Sequence, residues 1–180
     1  MPFDNAFIEV VLRTLQVTGI ALLLACLLGI PLGMFVGLTE FRGKRIVQVV
    51  LYTGMGLPPV VVGLVVFLLL SNSGPLGFLE WLFTPTGMIL AQTIMAFPLA
   101  AGLTGASVGD VPATLGMQIR SLGATPWQER WAVLREARRG VLAAVLAALG
   151  RVISEVGAAM LVGGNIAGWT RVLSTAIVLE

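Results

Sequence analysis

The sequence predicts an all-α integral membrane protein, and three observations lead there. Of its 180 residues 57% are hydrophobic and 11% charged, whereas an ordinary soluble domain carries about 25% charged residues. Mean hydropathy is +0.98. Uncharged apolar runs recur along the chain, and about 20 such residues in a helix cross a hydrocarbon core of roughly 30 Å. So few charges cannot clothe a water-soluble surface.

Other function classes fall away on composition. The chain has no histidine, one lysine and one cysteine, Cys26, which lies inside an apolar run. No disulfide framework, Ser-His triad or His-based acid–base chemistry can be built from these residues, and metal binding lacks its commonest ligand. Net charge is only +2, so its placement says more than its total. No nucleic-acid partner is expected.

The first predicted span is uncharged over residues 14–39. Asp4 and Glu9 precede it in place of a basic region, and its apolar run is too long for a signal peptide. Gly29, Gly33 and Gly37 lie four apart and share a face on which two helices can approach closely. This face is either a seam near a pore or a generic bundle contact. Pro31 within the run predicts a bend.

The second predicted span is uncharged over residues 46–79, with its apolar core at 46–70. Its stretch TGMGLPPVVVGL places Gly54, Gly56, Pro58, Pro59 and Gly63 close together. Neither proline has an N–H to donate, and their rings crowd the preceding turn. Irregular backbone at membrane depth survives only inside protein or along a wet cavity. Gly56, Pro58 and Pro59 are thus candidates for a translocation path or gate, and the plainer reading is a kinked packing helix.

The third predicted span is uncharged over residues 81–109, with its core at 88–108. The fourth covers about 141–162 and carries Arg151 and Glu155 in GRVISEVGAAM. Residues four apart share a helix face, so the two are expected to pair. Either charge alone costs about 3 kcal/mol at a helix centre on insertion scales, and such residues face the bundle interior or a cavity. Arg151, Glu155 and the following Gly157 join the candidate gate, with a purely structural ion pair as the alternative. After Gly163-Gly164 comes TRVLSTAIVLE, whose apolar part is too short to cross. It predicts a short re-entrant or interfacial helix, or the approach to a further span.

The connecting loops separate by charge. TEFRGKR carries Arg42, Lys44 and Arg45, and the long loop carries Arg120, Arg130, Arg135, Arg138 and Arg139. SNSGPLGFLEWLFTPTG and GGNIAGWT contain neither Lys nor Arg. Cytoplasmic loops are enriched in both. The N-terminus and the second and fourth loops are therefore expected outside, and the first and third loops in the cytoplasm. Arg13, at the outer end of the first span, is a mild exception.

The cytoplasmic loop, about residues 110–140, contains SLGATPWQERWAVLREARRG. Thr125 suits an N-cap and Pro126 the first helical position, which predicts a helix from Pro126 to about Arg139. Trp127, Trp131 and Leu134 fall on one face. Gly123 allows a tight turn after Ser121 and Leu122. Two readings compete: a helix lying on anionic lipid with Trp at headgroup level, or a helix whose ridge docks in a groove of a cytoplasmic partner. The sequence lacks G-x4-G-K-S/T, so ATP-driven transport would need a nucleotide site on another subunit.

This loop resembles that of ABC-type import permeases, whose consensus opens E-A-A-x3-G. Gly123 matches the glycine, Met117, Gln118 and Ile119 stand at the E-A-A positions, and Arg135-Glu136 replaces the usual Leu-Pro. TGMGLPPVVVGL with SNSGPLGFL, and GRVISEVGAAMLVGGNIAGWTRVLSTAIVLE, closely resemble the tungstate branch of the molybdate, tungstate and sulfate permeases. The resemblance runs from about Leu12 to Glu180.

The resemblance implies a polytopic bundle of the type I ABC importer permease kind, one transmembrane domain over residues 1–180, in a bacterial or archaeal inner membrane. Such permeases have a five-span core, so it implies about four spans here and a fifth after Glu180. It also implies two permease copies forming the path and an extracytoplasmic binding protein delivering an oxyanion, tungstate first, molybdate or sulfate otherwise. Two cytoplasmic ABC ATPases would hold ATP and Mg and receive the coupling loop at Ser121, Leu122, Gly123, Ala124, Pro126, Trp127, Trp131 and Leu134. The permease itself would bind no cofactor and do no chemistry. The rivals are a secondary transporter or channel without an ATPase, and a membrane anchor with no conducted substrate.

Overall fold

The computed structural model describes residues 5–179, and among these there are helices and loops but no strand. The helices are α1 (Asn5–Leu38), α2 (Lys44–Gly56), α3 (Pro59–Leu70), α4 (Pro85–Gly109), α5 (Ala113–Ser121), α6 (Pro126–Glu136), α7 (Arg138–Ile153), α8 (Gly157–Gly163) and α9 (Leu173–Leu179). A 3-10 turn at Gly77–Leu79 lies between α3 and α4. Asp4 lies outside the described residues.

Among the described residues two helices are long and apolar enough to cross a membrane, Phe7–Leu38 and Pro85–Gly109. Two bent pairs bring the total to four if each counts as one span: α2 with α3, bent by 102°, and α7 with α8, bent by 59°. The four predicted spans fall on these two helices and two bent pairs. The first is longer than its uncharged core, and α1 continues through Pro31. The second and fourth are not single helices.

The chain forms two compact units, and α1, α4 and α7 each contribute a stretch to both. The first comprises α1 up to Ala25, Gly56–Ala96 and the chain from Leu149 onward. Its core joins Val62, Val66 and Leu70 of α3, Ala91 and Met95 of α4, and Ala158 and Val162 of α8. Beside it, Val17 of α1, Met88 of α4 and Ala159 of α8 pack with Val172. Gly63 is what lets α3 and α8 meet, since a Cβ there would lie 2.6 Å from the Ala158 Cα. Arg13, the basic residue at odds with the charge pattern, sits 5.6 Å from the Trp169 ring centroid, a cation–π contact.

The second unit comprises Cys26–Met55 and Phe97–Ala148. Its seam is the predicted small-residue face. A Cβ on Gly29 would meet that of Ala100 at 2.8 Å, one on Gly33 would run into the Ala101 carbonyl, and one on Gly37 would meet the Gly105 carbonyl at 2.8 Å. The three glycines pack α1 on α4, which is the bundle-contact reading. Beyond the seam, Val108, Val133 and Ala137 are buried together, with Met34, Leu38, Val111 and Val141 against them.

Candidate functional site

Two stretches carried the functional expectations: the two helix breaks, at residues 57–58 and 154–156, lie in the first unit, and the coupling loop lies in the second. The first is the pair of broken helices. Pro58 is extended, with φ −59° and ψ 131°, and α3 starts at Pro59. The Pro58 carbonyl accepts from both Val61 N–H and Val62 N–H, which leaves the Leu57 carbonyl without a helical donor. Arg151 supplies one: its Nη2 donates to that oxygen at 2.7 Å. A carbonyl freed at a helix break needs another partner, and here the partner is charged.

The second break falls at residues 154–156, between α7 and α8. The Ser154 hydroxyl bonds back to the Gly150 carbonyl at 2.8 Å, and Glu155 N–H turns to Val152 O, a tighter i→i−3 bond. Glu155 is buried, and its Oε1 accepts from Ala158 N–H at 2.7 Å, so the carboxylate caps the first turn of α8. Ser174 Oγ donates to the Glu155 backbone carbonyl at 2.7 Å.

The expected Arg151–Glu155 ion pair is therefore corrected. Side chains at i and i+4 meet only if the helix continues between them, and α7 ends at Ile153. Among the described residues the ion pairs are Lys44–Glu40 and Arg120–Glu129. The contacts of Arg151 and Gly157 fall on neighbours of the candidate prolines and not on the prolines themselves. Leu57 beside Pro58 takes Arg151, and a Cβ on Gly157 would lie 2.7 Å from Val60 Cγ2, one residue beyond Pro59. Gly56 faces open space.

The coupling loop is the second stretch. Thr125 caps α6 as expected: Gln128 N–H donates to Thr125 Oγ1 at 3.3 Å, and Thr125 N–H to Gln128 Oε1 at 2.8 Å. The helix ends at Glu136, not near Arg139. Ala137, at ψ −1°, departs from helical geometry, and Arg138 opens α7.

Sequence reasoning missed α5, Ala113–Ser121. Pro112 precedes it with extended dihedrals, and Arg120 holds it to α6 by a 2.8 Å bond to Glu129. The signal was Pro112 ahead of a helix-forming run without Ser, Thr, Asp or Asn at the cap. Gly123 makes the turn that follows with φ +83°, a conformation costly for any residue with a Cβ. Met117 and Leu122 stand out at this tip, 59% and 86% exposed, beside exposed Gln118, Arg120 and Ser121. Ala124 is half-buried and Pro126 exposed.

The Trp127, Trp131 and Leu134 face lines an apolar groove with α1 residues Ile30, Met34 and Phe35. Both tryptophans are exposed, whereas the inner face of α6 is Val133 with Ala137 behind it.

A family model described as "Binding-protein-dependent transport system inner membrane component" matches residues 29–178. A "Probable anion ABC transporter permease protein" of Haloferax volcanii is 48% identical over 172 residues, 93% of this chain and 74% of that protein. A "Tungstate uptake system permease protein TupB" of Peptoclostridium acidaminophilum is 41% identical over 177 residues, 98% of this chain and 78% of the relative. Its namesake in Campylobacter jejuni is 37% identical over 177 residues, 98% and 74% of the respective chains. The all-helical architecture is that of a type I ABC importer permease. On a match covering both broken helices and the coupling loop, the chain belongs to the family of binding-protein-dependent transport system inner membrane components.

Proposed function

We propose that this chain is the permease subunit of an ATP-driven oxyanion importer whose first substrate is tungstate. The observation that carries this reading is the identity of 41% and 37% to two tungstate uptake permeases across 177 residues. An extracytoplasmic binding protein delivers the dianion, two permease copies enclose the path, and two cytoplasmic ATPases hold ATP and Mg. The permease binds neither.

The broken helices belong to the path in this reading. Pro58 and Pro59 hold α2 and α3 apart, Arg151 ties the free Leu57 carbonyl to α7, and Glu155 caps the start of α8, which packs on α3. A break whose carbonyl rests on one side-chain donor can reopen by exchanging that donor, which suits a gate. Gly56, with open space beside it, and Gly157 allow backbone movement on either side.

The ATPase contact lies on α5 and the turn after it. Leu122 and Met117 are the apolar residues that stand free there, with Ser121, Gly123 and Ala124 shaping the turn. Pro126 starts the helix that carries Trp127, Trp131 and Leu134 away from this tip.

The test is uptake of tungstate, molybdate and sulfate at equal concentrations in cells lacking their own oxyanion importers. The full-length permease is expressed with its ATPase and binding protein. Tungstate uptake should exceed the other two and vanish when the ATPase can no longer hydrolyse ATP. Equal uptake of all three anions overturns the tungstate assignment. Flux that survives without hydrolysis supports a channel or secondary transporter instead.

A further inference from the structure

The groove beside α6 has no role in the mechanism proposed above. Its floor is apolar: Ile30, Met34, Phe35 and Leu38 of α1 face Trp127 and Trp131 of α6, around a volume of about 450 Å³. A second groove of about 550 Å³ continues it along α7 and shares Ile30, Trp131 and Leu134 with it. Arg130 lines the first, and Arg135 and Arg138 line the second. Among the described residues none of these three arginines forms an ion pair. The α1 wall belongs to a helix long and apolar enough to span a membrane. Arg42, Lys44 and Arg45 follow directly after it in the chain.

An oily groove at the end of a spanning helix, rimmed by unpaired guanidinium groups and tryptophans, has the chemistry of a phospholipid seat. Acyl chain fits the floor, indole suits the headgroup level, and guanidinium binds phosphate in a bidentate fork. Three cations and no acidic residue line the two grooves, which favours a lipid with net negative charge over a zwitterionic one. We propose that this groove binds an anionic phospholipid of the cytoplasmic leaflet, with its chain along Ile30–Leu38 and its phosphate on Arg130, Arg135 and Arg138. The inference does not depend on which anion is transported.

Brominated lipid tests it. The permease, assembled with its ATPase, is placed in vesicles containing brominated phosphatidylglycerol or brominated phosphatidylcholine at equal mole fraction. The signal is the tryptophan fluorescence lost in the Trp127→Phe/Trp131→Phe variant. Each basic side chain near the surface favours an anionic lipid about fivefold. Relative association at these two tryptophans should therefore favour phosphatidylglycerol by at least about fivefold. The preference should fall towards parity in Arg130→Gln/Arg135→Gln/Arg138→Gln. Should that variant fail to fold, the wild-type protein in 1 M NaCl, where screening shortens to about 3 Å, should lose the preference likewise. Equal quenching by both lipids in the wild type at low salt means bulk lipid and overturns the proposal. Quenching by neither means that protein covers the groove, and overturns it too.

Discussion

The guanidinium of Arg151 donates to the carbonyl of Leu57 at 2.7 Å, across 94 residues of chain. The bond joins the end of α7 to the break between α2 and α3. It places a positive charge in the last turn of α7, where the helix dipole favours one. The same charge satisfies the carbonyl that Pro58 and Pro59 leave free.

Arg151→Met should remove that donor while keeping an unbranched apolar stem. Hydrogen bonds to charged groups contribute about 1.5–3 kcal/mol, and a loss of that order is expected in equilibrium unfolding in mixed micelles. Uptake should fall with it, and Arg151→Lys should recover part of both. A Met variant as stable and as active as wild type would show that the break is held by something else.

Glu155 acts on α8 and not on Arg151. Glu155→Gln keeps an oxygen to accept from Ala158 N–H and should stay close to wild type. Glu155→Ala loses the cap and should cost about 1 kcal/mol, in line with other capping residues. A double-mutant cycle of Arg151→Met with Glu155→Gln should give a coupling within about 0.5 kcal/mol, as for sites that share no partner. A coupling of several times that size would restore the ion pair.

These two residues also mark where sequence reasoning ended. The first break was legible because proline cannot donate, whatever surrounds it. The second has no proline. It is marked by the Ser154 back-bond and the Glu155 cap, and the cap forms only where α7 has stopped. Assuming an unbroken helix turned Arg151 and Glu155 into neighbours. Thr125 and Gln128 were readable because a capping box is local. The tip at Met117 and Leu122 was not, because α5 lacks a capping residue and its exposure depends on how it folds back on Glu129.

The glycine seam yields a prediction with an internal control. A Cβ on Gly33 would meet Thr104 Cβ at 2.8 Å and the backbone N of Gly105 at 3.0 Å, so backbone must yield. Overpacking costs about 1–3 kcal/mol. Gly33→Leu should lower the yield of folded protein and its unfolding midpoint. Gly19 on the same helix meets nothing within 4 Å, and Gly19→Leu should be tolerated. Equal effects at both sites would deny the seam its role in packing α1 on α4.

Placing the ATPase contact on α5 separates residues that the sequence grouped into one docking surface. Leu122 is the most exposed large hydrophobic side chain among the described residues, at 86%, and sits at the polar tip beside Arg120 and Ser121. Trp127 and Trp131 lie along the α1 groove instead. Leu122→Asp should therefore weaken capture of the ATPase by the full-length permease about tenfold or more, as expected when a charge replaces a central interface anchor. Met117→Asp should act in the same direction. Trp127→Asp should leave ATPase capture intact, since its side chain borders the groove. Gly123→Ala should weaken capture as well, because φ +83° becomes costly by about 1–2 kcal/mol once a Cβ is present. Capture is read by co-purification across a dilution series, with ATP hydrolysis stimulated by binding protein and tungstate as the second readout. If Trp127→Asp releases the ATPase while Leu122→Asp does not, the docking surface lies on α6 and the assignment to α5 is wrong.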